Sequence, residues 1–433
     1  MSTNVNNHKP NLELILQPYG AALHDTRTKE FFIFNPTGSK ILEGTAQGLT
    51  EDGIVELISD EVSSDSSADR NTISSDVSTF MSILRNFGIT LPDVKNAVIL
   101  GNRRHLSTIA AQLELTQQCS FACQYCLVNG SPKGEPGLSV ETWIRVVESL
   151  IDKGLRQVTL TGGDPPESEA FWPILNLLSK SDMVTTVYTA GRKVDLRFMQ
   201  RLADCNFGDR LAMQVSLDST DRRINDRYRG LGAYDAAVNA ANLSLHYGVH
   251  VIIASLIFPD TISHLESLFM FARKYDAEIK IGLLDFFGRA KEVLDEEKVI
   301  LSREDARKFN HEYVRLREAF PSVASDLLRL DREATIVKDV YTNRYVENLT
   351  SRKCPVAFGF VDVDWNGFLK PCPFPVSYLS DIDTDYVLYG DPIMNIDNFQ
   401  DSPMFKKASG ISESVDSEGK WGGCVLYEHA KRK

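Results

Sequence analysis

The sequence has no apolar run that could span a membrane. Its most hydrophobic stretches, such as His250 to Phe258, fall far short of the roughly 20 residues a spanning helix needs. The opening MSTNVNNHKPNLELIL lacks the basic start and continuous apolar core of a secretory signal, so a cytoplasmic protein with no membrane partner is expected. Basic residues are also in the minority, 47 Lys and Arg against 59 Asp and Glu for a net charge of -12. Affinity for a phosphate backbone comes from clustered cations, so no nucleic-acid partner is expected. Cysteine is sparse and odd in number, 7 in 433 residues, and three of the seven crowd into Cys119 to Cys126. That is poor geometry for a disulfide scaffold, and thiolate ligation of metal is the better reading. With 43% hydrophobic and 24% charged residues, the 433-residue chain has the composition of an ordinary globular protein of two or three domains.

Three segments differ in pattern. Residues 10–95 begin with short apolar runs, Leu12 to Leu16 and Glu30 to Phe34, read as strands. Asn35-Pro36-Thr37 can start a helix, Thr50 can cap a second carrying Ile54, Val55, Leu57 and Ile58, and Ser59 to Asp76 reads as a loop. Val77, Phe80, Met81, Leu84 and Phe87 then recur at helical spacing before Gly88. Three strands and three helices suggest a winged-helix-like module, either a recognition unit or a plain structural or dimerisation domain.

Residues 108–320 alternate strands with amphipathic helices. The strands are Gln112 to Thr116, Gln157 to Thr161, Thr185 to Thr189, Leu211 to Leu217, His250 to Ile257 and Glu278 to Leu284. Six βα units imply an α/β fold with a parallel sheet, either an open barrel or a doubly wound layer, whose chemistry sits at the carboxyl ends of the strands. In residues 351–433, Phe360 to Asp364 and Phe368 to Lys370 read as a hairpin about Asn366-Gly367, bracketed by cysteines.

The first motif, Cys119-Ser-Phe-Ala-Cys123-Gln-Tyr-Cys126, follows the first barrel strand, so one short loop delivers three thiolates over that strand's mouth. Structural zinc usually completes four ligands through paired knuckles, and no fourth Cys or His stands in this loop. An iron-sulfur cube with one open iron fits better. The second strand ends in Thr161-Gly162-Gly163-Asp164-Pro165-Pro166; alone, Gly-Gly-Asp is a common turn. Ser216 and Asp218 end strand four, and Arg229 follows on the next helix; the bland alternative has Asp218 capping that helix and Arg229 pairing with it on the surface. Tyr188, Tyr228 and Arg289 stand near strand ends, where they either face the cavity or, the preferred reading, pack or pair locally, and Cys205 reads as a buried thiol.

C-x3-C-x2-C with Tyr125 before the last Cys resembles the signature of the radical S-adenosylmethionine enzymes. The resemblance implies a partial (β/α)6 barrel in which Cys119, Cys123 and Cys126 hold a 4Fe-4S cluster. The open iron would be chelated by S-adenosylmethionine, whose reductive cleavage gives a 5'-deoxyadenosyl radical. Gly162, Gly163 and Asp164 resemble the family's GGE segment with a shorter carboxylate, and Tyr125, Ser216, Asp218 and Arg229 are similar to residues lining the cofactor. Cys354, Cys372 and Cys424 about the hairpin look like the ligands of a twitch domain, the shorter relative of the SPASM domain, with one auxiliary iron-sulfur cluster; zinc completed by His429 is the alternative. Asn11-Leu-Glu-Leu, Phe31 to Gly38 and Leu49 to Ile58 resemble a PqqD-like domain, which binds the leader of a precursor peptide. Together these imply a maturase of a ribosomally made peptide of the sactipeptide or thioether-forming type, served by an external electron donor. A small-molecule twitch enzyme resembling the cyclase of molybdenum-cofactor synthesis, or a non-catalytic iron-sulfur or zinc protein, are the competing readings.

Overall fold

A computed structural model describes residues 11–101, 109–323 and 360–370, apart from 18–19, 28–29, 35, 63–69, 87 and 285–287, together with 336–338 and 345–347. Two compact units result: the N-terminal elements with two short later strands, and the elements from residue 108 onward.

In the first unit, β1 (Leu12–Gln17), β2 (Gly20–Asp25) and β3 (Glu30–Phe34) form an antiparallel meander. Helices α1 (Pro36–Ala46), α2 (Glu51–Val62) and α3 (Arg70–Asn86) follow. Pro36 supplies the fixed φ that suits a first helical position, and Thr50 Oγ1 accepts from the Gly53 N–H at 3.2 Å as the cap of α2. The segment expected to be a loop from Ser59 to Asp76 is largely helical: α2 runs to Val62, and α3 starts at Arg70. Ile73 already lies on the buried stripe with Val77, Met81 and Leu84, so core packing extends α3 through a Ser- and Asp-rich stretch whose polar side chains face water. A short α4 (Leu91–Lys95), closed by a Thr90/Asp93 capping box, and β4 (Val98–Gly101) complete the unit. Neither was expected. Strand β4 pairs parallel to β1, giving the order β3-β2-β1-β4 and leaving β3 at an edge.

The second unit is built on β5 (Ala110–Glu114), β6 (Gln157–Thr161), β7 (Val184–Thr189), β8 (Leu211–Ser216), β9 (His250–Ile257) and β10 (Glu278–Leu283), all parallel and in sequence order. Helices α5 (Val140–Asp152), α6 (Phe171–Ser179), α7 (Leu196–Asp204), α8 (Arg222–Arg229), α9 (Ala233–His246) and α10 (Leu265–Lys274) connect them. Short α11 (Ala290–Val293) and α12 (Glu296–Val299) and the long α13 (Arg303–Ala319) follow. Burial alternates along β6, β7 and β9, whereas β5 and β8 are buried at adjacent positions as well. Leu113, Leu160, Val187, Met213, Val215, Ile253 and Ile279 are buried on one face, with the apolar stripes of the helices, such as Trp143, Val146, Val147 and Leu150 of α5, buried likewise. Thr159, Thr161, Thr186, Tyr188, Ser216, Ala254 and Lys280, on the opposite face, are only half-buried. The sheet is mostly parallel and does not close.

Strands β11 (Ile336–Lys338) and β12 (Tyr345–Glu347) pair with each other. The expected hairpin is present as β13 (Phe360–Val363) and β14 (Leu369–Lys370), turning through Gly367 at φ +87° while Asp364 Oδ1 accepts from the N–H groups of Asn366 and Phe368. Its placement was not expected: β13 pairs parallel to β5 and extends the sheet to eight strands. Cys354, Cys372, Cys424 and His429 lie outside the described residues.

Candidate active site

The loop after β5 is fastened to itself before any ligand is considered. The Cys119 N–H donates to Ser131 O at 3.0 Å, the Ser131 N–H to Gln117 O at 3.0 Å, and Gln117 Nε2 to Val128 O at 3.0 Å. Cys119 is buried, with Sγ accepting from the Phe121 N–H at 3.4 Å; Cys126 Sγ accepts from the Gly130 N–H at 3.2 Å. The Cys123 thiol points to Arg229 O at 3.5 Å. Burial, with Asp164 next, pushes the Cys119 thiol well above the ordinary range, and burial pushes Cys123 up to about 11 against the pull of Arg229. Loading metal here must therefore expel protons. Among the described residues no three His, Cys, Asp or Glu side chains converge as ligands of one metal ion do. Three thiolates that each bind a different iron of one cluster need no such point, and free thiols on one tight loop are the donor set a cluster requires.

Strand β6 delivers Gly162-Gly163-Asp164 against this loop, backbone to backbone. A Cβ on Gly163 would stand 2.2 Å from Gln118 O, and one on Gly162, at φ +118°, 2.4 Å from Thr116 O. Main-chain bonds from Gly163 to Thr116 O at 2.6 Å and from Asp164 to Gln118 O at 2.8 Å close the joint. Only glycine permits it. Asp164 is fully buried, and among the described residues neither carboxylate oxygen has a hydrogen bond of good geometry; burial pushes its carboxyl up to about 7, with the nearby Thr189 hydroxyl and Ala190 N–H favouring the charged form. A buried, weakly partnered carboxylate beside the cysteine loop could hold an incoming ammonium, such as the amino group of S-adenosylmethionine. Glu167, three residues on, reaches the loop as well, accepting from the Ser120 hydroxyl and pairing with Lys193 at 3.0 Å.

The end of β8 supplies a buried triad. Asp218 accepts from the Tyr125 hydroxyl and, at 3.1 Å, from Arg229 Nη1, which also donates to the Tyr125 Oη at 2.7 Å. The Leu256 N–H adds a further bond to Asp218 at 3.0 Å. Asp218 does not cap α8, a role that falls to Asp221, and the Arg229 pair is not on the surface, since both side chains are buried. Burial would lower the Arg229 pKa, but Asp218, Tyr125 and Cys123 outweigh it and hold the guanidinium charged. Ser216 ends β8 half-buried, on the accessible face of the sheet. Cys205, at the end of α7, is a buried thiol as expected, 3.3 Å from Asn176 Oδ1.

Arg289 is the residue that sequence reasoning undervalued. It pairs far along the chain: Nη1 donates to Cys123 O at 2.8 Å, Nη2 to Gly130 O at 2.8 Å, and its N–H to Cys126 O at 3.1 Å. Its only signal was a cation just past a strand end. Sequence gave no sign either of the link between β5 and the hairpin, where Lys370 Nζ donates to Glu114 at 2.8 Å and lies 3.0 Å from Asp362. Burial, then Asp362, push the Glu114 carboxyl up to about 8. Tyr228 stacks on Phe258 at 4.0 Å and bonds Asp260, as local packing predicted.

Residues 113–272 match the profile of the Radical SAM superfamily. They form a radical SAM domain. Two curated proteins align with it. The mycofactocin maturase MftC of Mycobacterium tuberculosis is 30% identical over 182 residues, 42% of this chain and 46% of its own length. The subtilosin biosynthesis protein AlbA of Bacillus subtilis is 23% identical over 357 residues, 77% of this chain and 73% of its own. The chain thus spans about half the length of the maturases it matches and more of AlbA. In fold it is similar to Streptococcus suis SuiB in crystals with S-adenosylmethionine, at TM-score 0.62 and 15% identity over 96% of this chain and 95% of that one. SuiB bound to precursor peptide SuiA gives 0.60 and 14%, over 92% and 89%. The radical SAM family uses a 4Fe-4S cluster with S-adenosylmethionine, and Cys119, Cys123, Cys126 and Asp164 are residues of this domain that could hold them. No described helix is long and apolar enough to cross a membrane.

Proposed function

We propose that this chain modifies a ribosomally synthesised precursor peptide, taking its leader on the N-terminal unit and its core at the mouth of the barrel, and that the product is a thioether or other cross-link. The joint between the cysteine loop and Gly162-Gly163-Asp164, with its buried carboxylate, carries the enzymatic part. Bound there, a reduced cluster with S-adenosylmethionine supplies hydrogen abstraction from an unactivated carbon. The chain's own residues prepare the site: Arg289 and the Tyr125–Asp218–Arg229 triad fix the loop, the glycines admit close approach, and Asp164 takes an ammonium.

Support for a peptide substrate comes from the edge strand β3 and from the likeness to a mycofactocin maturase, to a bacteriocin biosynthesis protein and, in fold, to SuiB crystallised with its precursor peptide. An extended leader can add to an edge strand, and β3 stands at the end of the sheet among the described strands; Phe34 of β3 meets Phe80 of α3 edge to face at 5.4 Å, so side chains of an added strand would rest near that helix. Residues 10–95 would be the recognition domain, 108–320 the barrel and 351–433 a twitch domain in which Cys354, Cys372 and Cys424 hold an auxiliary cluster. An external donor supplies the electron. A small-molecule cyclase would not need the N-terminal unit.

The test is 5'-deoxyadenosine formation under reducing conditions, alone and with a leader-bearing peptide. Stimulation by the leader, loss of cleavage in Cys126→Ala, and uncoupled cleavage without modified peptide in Cys372→Ala are expected. Stimulation by nucleotides instead, or equal loss of cleavage in both variants, overturns the reading. Iron should fall from about eight per chain to about four when the three loop cysteines are replaced by alanine; zinc without iron would make this a binding protein.

A further inference from the structure

The half-buried face of the parallel sheet carries one cation with an unusual partner. Lys280 of β10 donates from Nζ to the Tyr188 hydroxyl of β7 at 3.1 Å, with the ammonium 5.3 Å from the ring centroid. Strands β8 and β9 lie between them. At about 4.8 Å per strand, β7 and β10 are roughly 14 Å apart along the sheet, so the two side chains meet across the hollow of its curve. Registers put them near the mouth: Lys280 is level with Ala254 of β9, and Ala254 with Ser216, the last residue of β8.

The donor and acceptor count decides what fits. An ammonium has three N–H donors and no acceptor. One goes to Tyr188, whose oxygen is thereby used as an acceptor, leaving the phenolic proton to donate elsewhere. The pair thus offers two kinds of donor and one positive charge to the hollow. The other lysine on this face, Lys370, is already held by Glu114 and Asp362, whereas no carboxylate pairs with Lys280 among the described residues. Thr159, Thr186, Ala212, Ser216 and Ala254, nearby on the face, are uncharged.

We infer that Lys280 and Tyr188 form a subsite for a single carboxylate of the peptide substrate, an acidic side chain or the C-terminus, which fixes how far the core enters the barrel. The inference rests on the peptide reading above. A triphosphate fits poorly, because among the described residues of this face Lys280 is the one lysine not already held by carboxyl groups, and a single ammonium cannot balance several negative charges. Charge-assisted bonds of this kind are worth about tenfold in affinity.

The experiment uses the full anaerobically prepared chain, unreduced, so that it is independent of S-adenosylmethionine cleavage. Ligand-observed NMR compares the tripeptide Ac-Gly-Glu-Gly-NH2, its Gln counterpart, and Ac-Gly-Gly-Gly with a free C-terminus. The two carboxylate probes should bind about tenfold more tightly than the Gln probe, and their relative affinity tells side chain from terminus. Lys280→Met should abolish the preference, Lys280→Arg should retain it, Tyr188→Phe should reduce it, and the exposed Lys298→Met should leave it intact. Equal binding of Glu and Gln probes, no carboxylate-dependent binding, or a preference that survives Lys280→Met overturns the subsite. So does Lys280-dependent binding of inorganic triphosphate that exceeds the carboxylates. Leader-stimulated cleavage with no carboxylate preference would sink this inference alone, and the preference without leader stimulation would sink only the maturase reading.

Discussion

The guanidinium of Arg229 donates to the hydroxyl of Tyr125 at 2.7 Å, so a residue 104 positions further along the chain holds the one aromatic ring set between the last two cysteines of the loop. Both also engage Asp218, which makes the cysteine loop, the end of β8 and the end of α8 a single buried polar unit.

Breaking that unit from the cationic side should be expensive. Arg229→Met leaves the Asp218 carboxylate buried without its cation, a situation that costs about 3–5 kcal/mol. Tyr125→Phe keeps the ring and removes one donor, for about 1–3 kcal/mol. Denaturant unfolding of the two variants should give that order; a larger loss in Tyr125→Phe would mean that the ion pair is not the stronger tie.

Gly163→Ala tests the backbone joint. The added methyl meets Gln118 O at 2.2 Å and must force the loop away, so iron bound after reconstitution should fall and stability should drop by about 1–3 kcal/mol. Gly53→Ala, in the first turn of α2, is the contrast: the nearest atom to the added methyl would be Thr50 Oγ1 at 3.5 Å, and a gain of about 0.5–1 kcal/mol is expected. Normal iron content in Gly163→Ala would show that the loop does not need this contact.

Arg289→Ala removes the side-chain donors to Cys123 O and Gly130 O. Iron per chain after anaerobic reconstitution should decline, while the surface variant Arg315→Ala, which loses only exposed pairs with Glu312 and Glu266, should load normally. Equal loading by both would remove Arg289 from the loop's support.

Stability should fall as pH rises from about 5 to 8. Glu114 has its folded pKa raised from 4.5 to about 8 and Asp164 from 3.8 to about 7, so between those values the folded chain holds protons that the unfolded chain has released. Their contribution is complete below the unfolded values and is lost as pH passes the folded ones, at up to about 1.4 kcal/mol per pH unit for each proton. The Lys370 pKa is also raised, but its stabilising charge is present throughout this window. Melting curves across pH 5 to 8 should flatten in Glu114→Gln; an unchanged slope would rule out this carboxyl as a source.

Much was readable along the chain because it is local. Short apolar runs such as His250 to Ile257, each followed by an amphipathic helical stretch, marked the parallel strands, and the crowding of Cys119, Cys123 and Cys126 after the first of them marked the ligand loop. Gly162 and Gly163 stood out as residues that allow close approach, and the structure supplies what approaches: the carbonyls of Thr116 and Gln118. The start of α3 was missed because Ser and Asp dominate its composition, although Ile73 already carried the period.

Local neighbours along the chain set the six βα repeats, the cysteine loop at a strand mouth and the hairpin turn at Gly367, since each depends on residues a few positions apart. Only the tertiary structure decided that Arg289 would grip the loop, that Asp218 would bind Tyr125 instead of capping a helix, that β13 would join β5, and that Lys280 would face Tyr188 across the hollow. Those choices pair groups scores of residues apart. Which donor finds which acceptor is set by how the sheet curves and where burial removes water as the alternative partner, and no spacing along the chain encodes that.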